Sequence, residues 1–365
     1  MKDNINVSLC KGIAIILMVF GHSCSGIPYS DKLIVAFHMP LFFFFSGFCL
    51  KDKHFQTPQL FVWKRIKGIY WPYVKYSLLF LVLHNFLFDL NFYSEKYGYN
   101  GIVSHLYTST EFKERAMNII INMTQHDQLF GGYWFLNALF YASIYSFAML
   151  WVLKRISIWL RCSYVTLCCV GLVMTLVLLL LSNQLNKTFT IFLIGPRVFL
   201  ASMFYLLGHI FRQMNMKGVM GTKVLALFIV FILLALIGMD GMSYVRYNST
   251  ILLIPYIIGG LLGTWILYSV VNLIRGEVVK KLLVYAGNNS MTILTWHFLM
   301  FKLISLLIVC FYALPIIHLS EFPVIVQYSE QGWWIVYVIV GVSIPLLLLY
   351  LKNKIIIRWK LKESL

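Results

Sequence analysis

"KGIAIILMVFGH", residues 11–22, puts a cation at one end of an apolar run and an imidazole at the other. With its flanks it fills 8–25, close to the ~20 apolar residues a helix needs to cross hydrocarbon. Titratable groups are expensive in that medium and usually sit there for function. On a helix, the eleven residues from Lys11 to His22 make almost three turns, so the two side chains share a face, roughly 16 Å apart along the axis. They are too far apart to touch. The span suits an elongated ligand that enters beside the cation and brings its reactive end to the imidazole. The competing reading is that Lys11 marks a membrane boundary and His22 bonds to a neighbouring helix.

The rest of the chain decides that the stretch crosses a membrane. Of 365 residues, 60% are hydrophobic and only 12% charged, too apolar for a soluble domain. Ten candidate spans are read, at 8–25, 32–50, 70–90, 133–153, 163–182, 190–211, 222–239, 248–273, 290–312 and 332–351. One set of connections carries Lys51, Lys53, Lys64, Arg65 and Lys67, then Lys154, Arg155 and Arg161, then Arg212 and Lys217, then Arg275, Lys280 and Lys281. The tail adds Lys352, Lys354, Arg358, Lys360 and Lys362, whereas 313–331 has no Lys or Arg and holds Glu321 and Glu330. Positive loops stay inside. The expectation is an all-α, polytopic bundle of about ten transmembrane helices, with both termini cytoplasmic and 1–365 forming one domain in the cell (inner) membrane.

A net charge of +17 divided among short loops suits the lipid bilayer and excludes nucleic acid as a partner. The first apolar run leads straight into the second with no small-residue cleavage site, so no signal peptide is expected. Seven cysteines without CxxC spacing read as small core residues, with no disulfide framework and no metal site.

One outer connection, 91–132, is too long for a simple hairpin and mixes Tyr93, Tyr97, Tyr99 and Tyr107 with Glu95, Glu111 and Glu114. Within it, 111–123 has the pattern of an amphipathic surface helix. The tyrosines read equally well as a functional loop or as an interfacial aromatic belt. "FHMPLFFFFSGF" (37–48) brings a second intramembrane histidine, His38, near the depth of His22, with Ser46 and Gly47 permitting close helix approach. Its phenylalanines read as packing and lipid contact. His297 falls about seven residues into the ninth span, roughly 10 Å deep. His209 reads as a boundary residue, and Arg197 as either an anion contact or a snorkelling side chain. Lys302, deep in the ninth span, implies a wet cavity or shifted span boundaries.

"SLCKGIAIILMVFGHS" (8–23), "FHMPLFFFFSGF" and "FVWKRIKGIYWPYV" (61–74), followed by "GGYWFLNALFY" (131–141) and "AGNNSMTILTWHF" (286–298), resemble in order and spacing the integral-membrane acyltransferase family 3. These are O-acyltransferases of cell-surface glycans, and the stretches resemble those of the fucose 4-O-acetylase-like members. The resemblance implies that Lys11 and His22 are both needed for activity. Many members have Arg at the position of Lys11, so the bidentate fork is lost here. An Asp that some carry near Ser8 is also missing. Arg65 and Lys67 match the basic segment that would sit beside the donor's phosphates.

The implied reaction moves an acetyl group from cytoplasmic acetyl-CoA, the acyl-donor co-substrate, to a hydroxyl of a glycan acceptor. The acceptor is a surface polysaccharide or its lipid-linked precursor. His22 is the candidate general base, with transient acylation of its nitrogen as an alternative. Lys11 and His297 complete the candidate catalytic set, with Lys11, Arg65 and Lys67 binding the donor. His38, Trp134, Asn288 and Ser290 are the candidate substrate contacts, and Asn288, Asn289, Ser290 or the Trp134 indole would supply the oxyanion donor. Lys280 and Lys281 read as topology markers. The competing function is a transporter or flippase of a lipid-linked sugar. Repeat symmetry and mid-membrane carboxylates would mark it, and neither is visible in the chain.

Overall fold

The computed structural model describes residues 2–99, 102–124, 127–184, 195–215, 218, 222–236 and 250–363. Helices α1 (Lys2–His22) and α2 (Ser30–Phe48) come first, followed by short α3 (Lys53–Gln56) and α4 (Pro58–Arg65). A π-helical stretch, Ile66–Tyr70, joins α4 to α5 (Trp71–Asp89). Pro72 has no N–H to return to the preceding turn and its ring crowds the carbonyl four residues back, which accounts for the widened turn. The outer connection holds a two-stranded antiparallel ladder, β1 (Gly98–Tyr99) with β2 (Ile102–Val103), and α6 (Ser109–Asn122). A 3-10 turn, Gln128–Tyr133, leads into α7 (Trp134–Leu160). Then come α8 (Tyr164–Gln184), α9 (Pro196–Gln213), α10 (Thr222–Leu236), α11 (Thr250–Val270), α12 (Glu277–Asn288), α13 (Ser290–Phe311), α14 (Val326–Tyr328) and α15 (Trp334–Glu363).

Each of the ten expected spans contains a helix. Among the described residues, seven stretches are long and apolar enough to cross a membrane: Asn4–His22, Ser30–Phe48, Gln128–Leu160, Tyr164–Asn183, Leu253–Leu273, Ser290–Phe311 and Val326–Ile357. The helices α5, α9 and α10 fall outside this set. α5 carries Lys75, His84, Asn85 and Asp89, α9 carries Arg197, His209 and Arg212, and α10 covers only 15 described residues. The protein is a polytopic helical membrane protein. Parts of the sixth, seventh and eighth expected spans, and Lys217, lie outside the described residues.

Two reciprocal glycine contacts set the bundle around the site. A methyl group on Gly47 would lie 1.8 Å from the Tyr205 carbonyl oxygen, and one on Gly208 would lie 1.9 Å from that of Phe44. This pair presses the α2 backbone onto α9. Gly12 against the Leu283 carbonyl (2.1 Å) and Gly287 against that of Ser8 (1.9 Å) do the same for α1 and α12. Close approach of this kind drives helix association where water supplies no hydrophobic force. Ser46, expected to share that role, instead donates to the Phe42 carbonyl and faces a cavity.

The phenylalanine run packs within protein. Phe43, Phe44 and Phe45 are at most 4% exposed, so the lipid contact expected for them is absent. The cysteines divide rather than all joining the core. Cys10 and Cys168 are buried, Cys24 is half-buried, Cys49, Cys162, Cys169 and Cys310 are exposed, and all seven are free thiols.

Candidate active site

A cavity of about 350 Å³ runs inside the bundle between α1, α2, the π-helical stretch, α7 and α13. At its basic end it is lined by Lys11, Arg65, Cys49, Ser46 and the side chains of Asn288 and Ser290. At its deep end it is lined by Met18, Met39 and Leu294. Met18 lies one turn before His22, Met39 follows His38, and Leu294 lies one turn before His297. The cavity thus starts at the two cations and ends at Met18, Met39 and Leu294, about one turn short of His22 and His297; none of the three histidines lines it.

The histidines are held by main chain and by each other. His22 Nδ1 lies 3.0 Å from His297 Nε2, and the two rings are nearly parallel, 14° apart. Phe298 covers His22 from the side, its ring centroid 4.8 Å away. His297 is fully buried, whereas His22 keeps partial exposure, so the pair has one closed and one open member. His38 Nδ1 donates to the Ile34 carbonyl at 2.7 Å. Gly21 packs beside Ile34, which places His38 about 7 Å further toward the basic end than His22.

Other expected residues fall elsewhere. Arg65, half-buried with its guanidinium over the Phe61 ring, lines the cavity, but Lys67 is exposed and outside the lining. Asn288 accepts a 2.7 Å hydrogen bond from Ser8. Ser8 precedes His22 by fourteen residues, roughly 21 Å of helix, so Asn288 cannot serve an oxyanion formed at that histidine. Ser290 stands seven residues before His297 and shares the basic end, while Asn289 turns back to the Tyr285 carbonyl at 2.8 Å. Trp134 lies beside the cavity-lining Phe135 and stacks under Arg197, whose guanidinium is 5.0 Å from the indole centroid. Arg197 therefore has an inward aromatic partner.

One expectation is corrected outright. Lys302 neither faces a wet cavity nor marks a misplaced span. Its ammonium is fully buried and donates to the carbonyls of Leu319 (2.8 Å) and Glu321 (2.7 Å), clamping the loop after α13 into the bundle. His209, read as a boundary residue, lies near the end of α9 and is fully buried there, with Nε2 3.1 Å from the hydroxyl of Tyr164 at the start of α8.

The end opposite Lys11 is capped by a cluster that the sequence reading missed. His84 and Asp127 are buried, with His84 Nδ1 2.7 Å from the carboxylate and Nε2 3.0 Å from the His105 carbonyl. Tyr93 donates to the other oxygen of Asp127, and Tyr107 stacks flat on the His84 ring at 3.6 Å. Burial first, and then the Asp127 charge, push the Tyr93 phenol well above its ordinary value and that of Tyr107 up to about 12. Both remain neutral donors. Tyr93 and Tyr107 are therefore structural pins of the cap, held on His84 and Asp127. α6 adds a capping box in which Thr108 and Glu111 bond reciprocally, and the Gln128–Tyr133 turn reaches α13 through Tyr133 and Thr295 (2.9 Å). An intramembrane histidine in α5 was the available signal, by the same logic that flags His22.

Beside His22, Cys24 is half-buried, with its thiol 3.9 Å from the His22 carbonyl oxygen. The arrangement as a whole offers a cavity that starts at two cations and ends about one helical turn from a partly exposed imidazole. No curated protein and no solved structure matches the chain. The model of the acyltransferase domain matches residues 4–353, nearly the whole length, and the chain belongs to the acyltransferase 3 family.

Proposed function

We propose that this acyltransferase is a transmembrane O-acetyltransferase, carrying acetyl from cytoplasmic acetyl-CoA to a hydroxyl of a cell-surface polysaccharide or lipid-linked glycan. The observation that carries the proposal is the cavity that starts at Lys11 and Arg65 and ends at Met18, Met39 and Leu294, about one turn from His22 and His297. From Lys11 to Met18 it covers about two helical turns, which suits part of an extended pantetheine arm, with the phosphates at the cations and the thioester reaching on toward His22. In this reading the basic end faces the cytoplasm, all ten helical segments span the cell membrane, and both termini lie inside. Family membership makes the protein an enzyme, which displaces the carrier reading.

A neutral hydroxyl attacks a thioester poorly, so a base must take its proton as the bond forms. His22 is that base. Lys11 and Arg65 hold the donor phosphates by charge-assisted hydrogen bonds, and Asn288 and Ser290 contact the polar stretch of the donor near the same end. His38, next to the deep lining, faces the acyl-transfer region from α2.

The test is turnover of radiolabelled acetyl-CoA by protein in lipid nanodiscs, together with the acetyl content of surface glycan from producing cells. The wild type should consume donor and acetylate glycan, and His22→Ala should do neither. Glycan acetylation that persists in His22→Ala would remove the base assignment.

A further inference from the structure

We infer that His297 is a positioning residue. Through it, the main chain of α13 dictates which nitrogen of His22 is basic. The inference rests on His22 being the base, yet its central statement concerns the resting protein. His297 Nδ1 lies 3.0 Å from the Ile293 carbonyl and 3.0 Å from the Leu294 carbonyl. Carbonyl oxygens only accept, so Nδ1 carries the proton, and in the neutral ring Nε2 is left bare. That bare nitrogen is the one 3.0 Å from His22 Nδ1, which must therefore be an N–H donor. A neutral His22 then has its lone pair on Nε2, the nitrogen turned away from His297.

The order of control runs from backbone to His297 to His22. Full burial of His297, with Phe298 and Phe301 against its ring, shields this relay from competing water. A free histidine in water prefers its proton on Nε2, which would present a donor where an acceptor is required. The relay inverts that preference.

The chemistry closes without another reactant. The proton of the acceptor hydroxyl moves to His22 Nε2 as its oxygen bonds to the thioester carbon. The carbon–sulfur bond of the tetrahedral adduct then breaks, and the departing sulfur takes the proton from Nε2. The Nδ1–H to His297 hydrogen bond persists throughout and supports the transient imidazolium.

Nitrogen-15 NMR of histidine-labelled protein in nanodiscs tests the assignment, with the His22 signals identified by their loss in His22→Ala. The expected spectrum shows a protonated Nδ1 and a bare Nε2 for His22, and a protonated Nε2 would overturn the inference. In kinetics, His297→Leu should lower kcat roughly tenfold to a hundredfold while the KM for acetyl-CoA stays within about twofold. His297→Gln, whose amide oxygen can accept from His22, should recover most of the loss. Unchanged kcat in the leucine variant, or no advantage of glutamine over leucine at equal thermal stability, would also overturn it. A wild-type protein that never turns over acetyl-CoA would defeat the base reading, while the resting spectrum would still decide the tautomer.

Discussion

His22 and His84 are both histidines near the ends of apolar helices, yet their surroundings give them opposite tasks. His22 has one nitrogen engaged by a partner ring and keeps partial exposure. His84 has both nitrogens engaged, one by a carboxylate and one by a carbonyl, and a tyrosine lies flat on its face. A ring with one nitrogen unengaged and partial exposure can do chemistry. A ring whose capacity is spent can only hold structure. The difference lies in the neighbours, since residue type and depth are similar.

The widest gap between the two should come from alanine substitution. His22→Ala is expected to lower transfer by roughly 10²- to 10⁴-fold, the range for loss of a general base, with little change in thermal stability. His84→Ala should leave turnover of the folded fraction within a few-fold and lower the unfolding midpoint instead. Equal losses of turnover at both positions would erase the distinction. Next in size, Asp127→Ala strands a buried ring beside a missing carboxylate and should cost about 3–5 kcal/mol, measured by denaturation in detergent. Tyr93→Phe removes a donor to the same carboxylate and should cost about 1–3 kcal/mol.

At the basic end, Arg65→Ala should raise the KM for acetyl-CoA roughly 10- to 100-fold, the worth of one charge-assisted contact, with kcat nearly unchanged. Lys67→Ala, outside the cavity lining, should stay within about twofold of wild type. Reversal of that order would move the donor site off the cavity. The smallest effect belongs to the cap. The Thr108 backbone N–H, then the His105 and Thr108 side chains, hold the Glu111 carboxyl down to about 2. A depressed carboxylate stabilises above its unfolded value, so the contribution to α6 is complete above about pH 4.5 and disappears as pH falls through about 2. Amide exchange across 109–122 should follow that titration in the wild type and ignore it in Glu111→Gln.

The membrane-spanning pattern was legible because a helix in hydrocarbon must be apolar for its whole length and its cations gather on one side. His22 and Lys11 were legible for the converse reason, as polar groups that stand out in an apolar run. α12 was not, because twelve residues carrying Lys280 and Lys281 look like a charged loop until Gly12 and Gly287 bring the helix against α1. Asn288 was read as an oxyanion donor for His22, which its distance excludes, since nothing local in the chain says that Ser8 will meet it. Lys302 was conspicuous, but its partners are carbonyl oxygens, which every residue has and no sequence advertises.

That buried ammonium also bears on how the chain is made. Its two acceptors belong to residues 17 and 19 positions downstream, the next part of the polypeptide to emerge from the ribosome. The charge is thus sheltered by a nearby stretch of its own nascent chain and need not wait for distant helices to assemble. A ribosome-stalled chain too short to bring Leu319 out of the exit tunnel should leave α13 slow to insert, and one long enough to bring Glu321 out should release it.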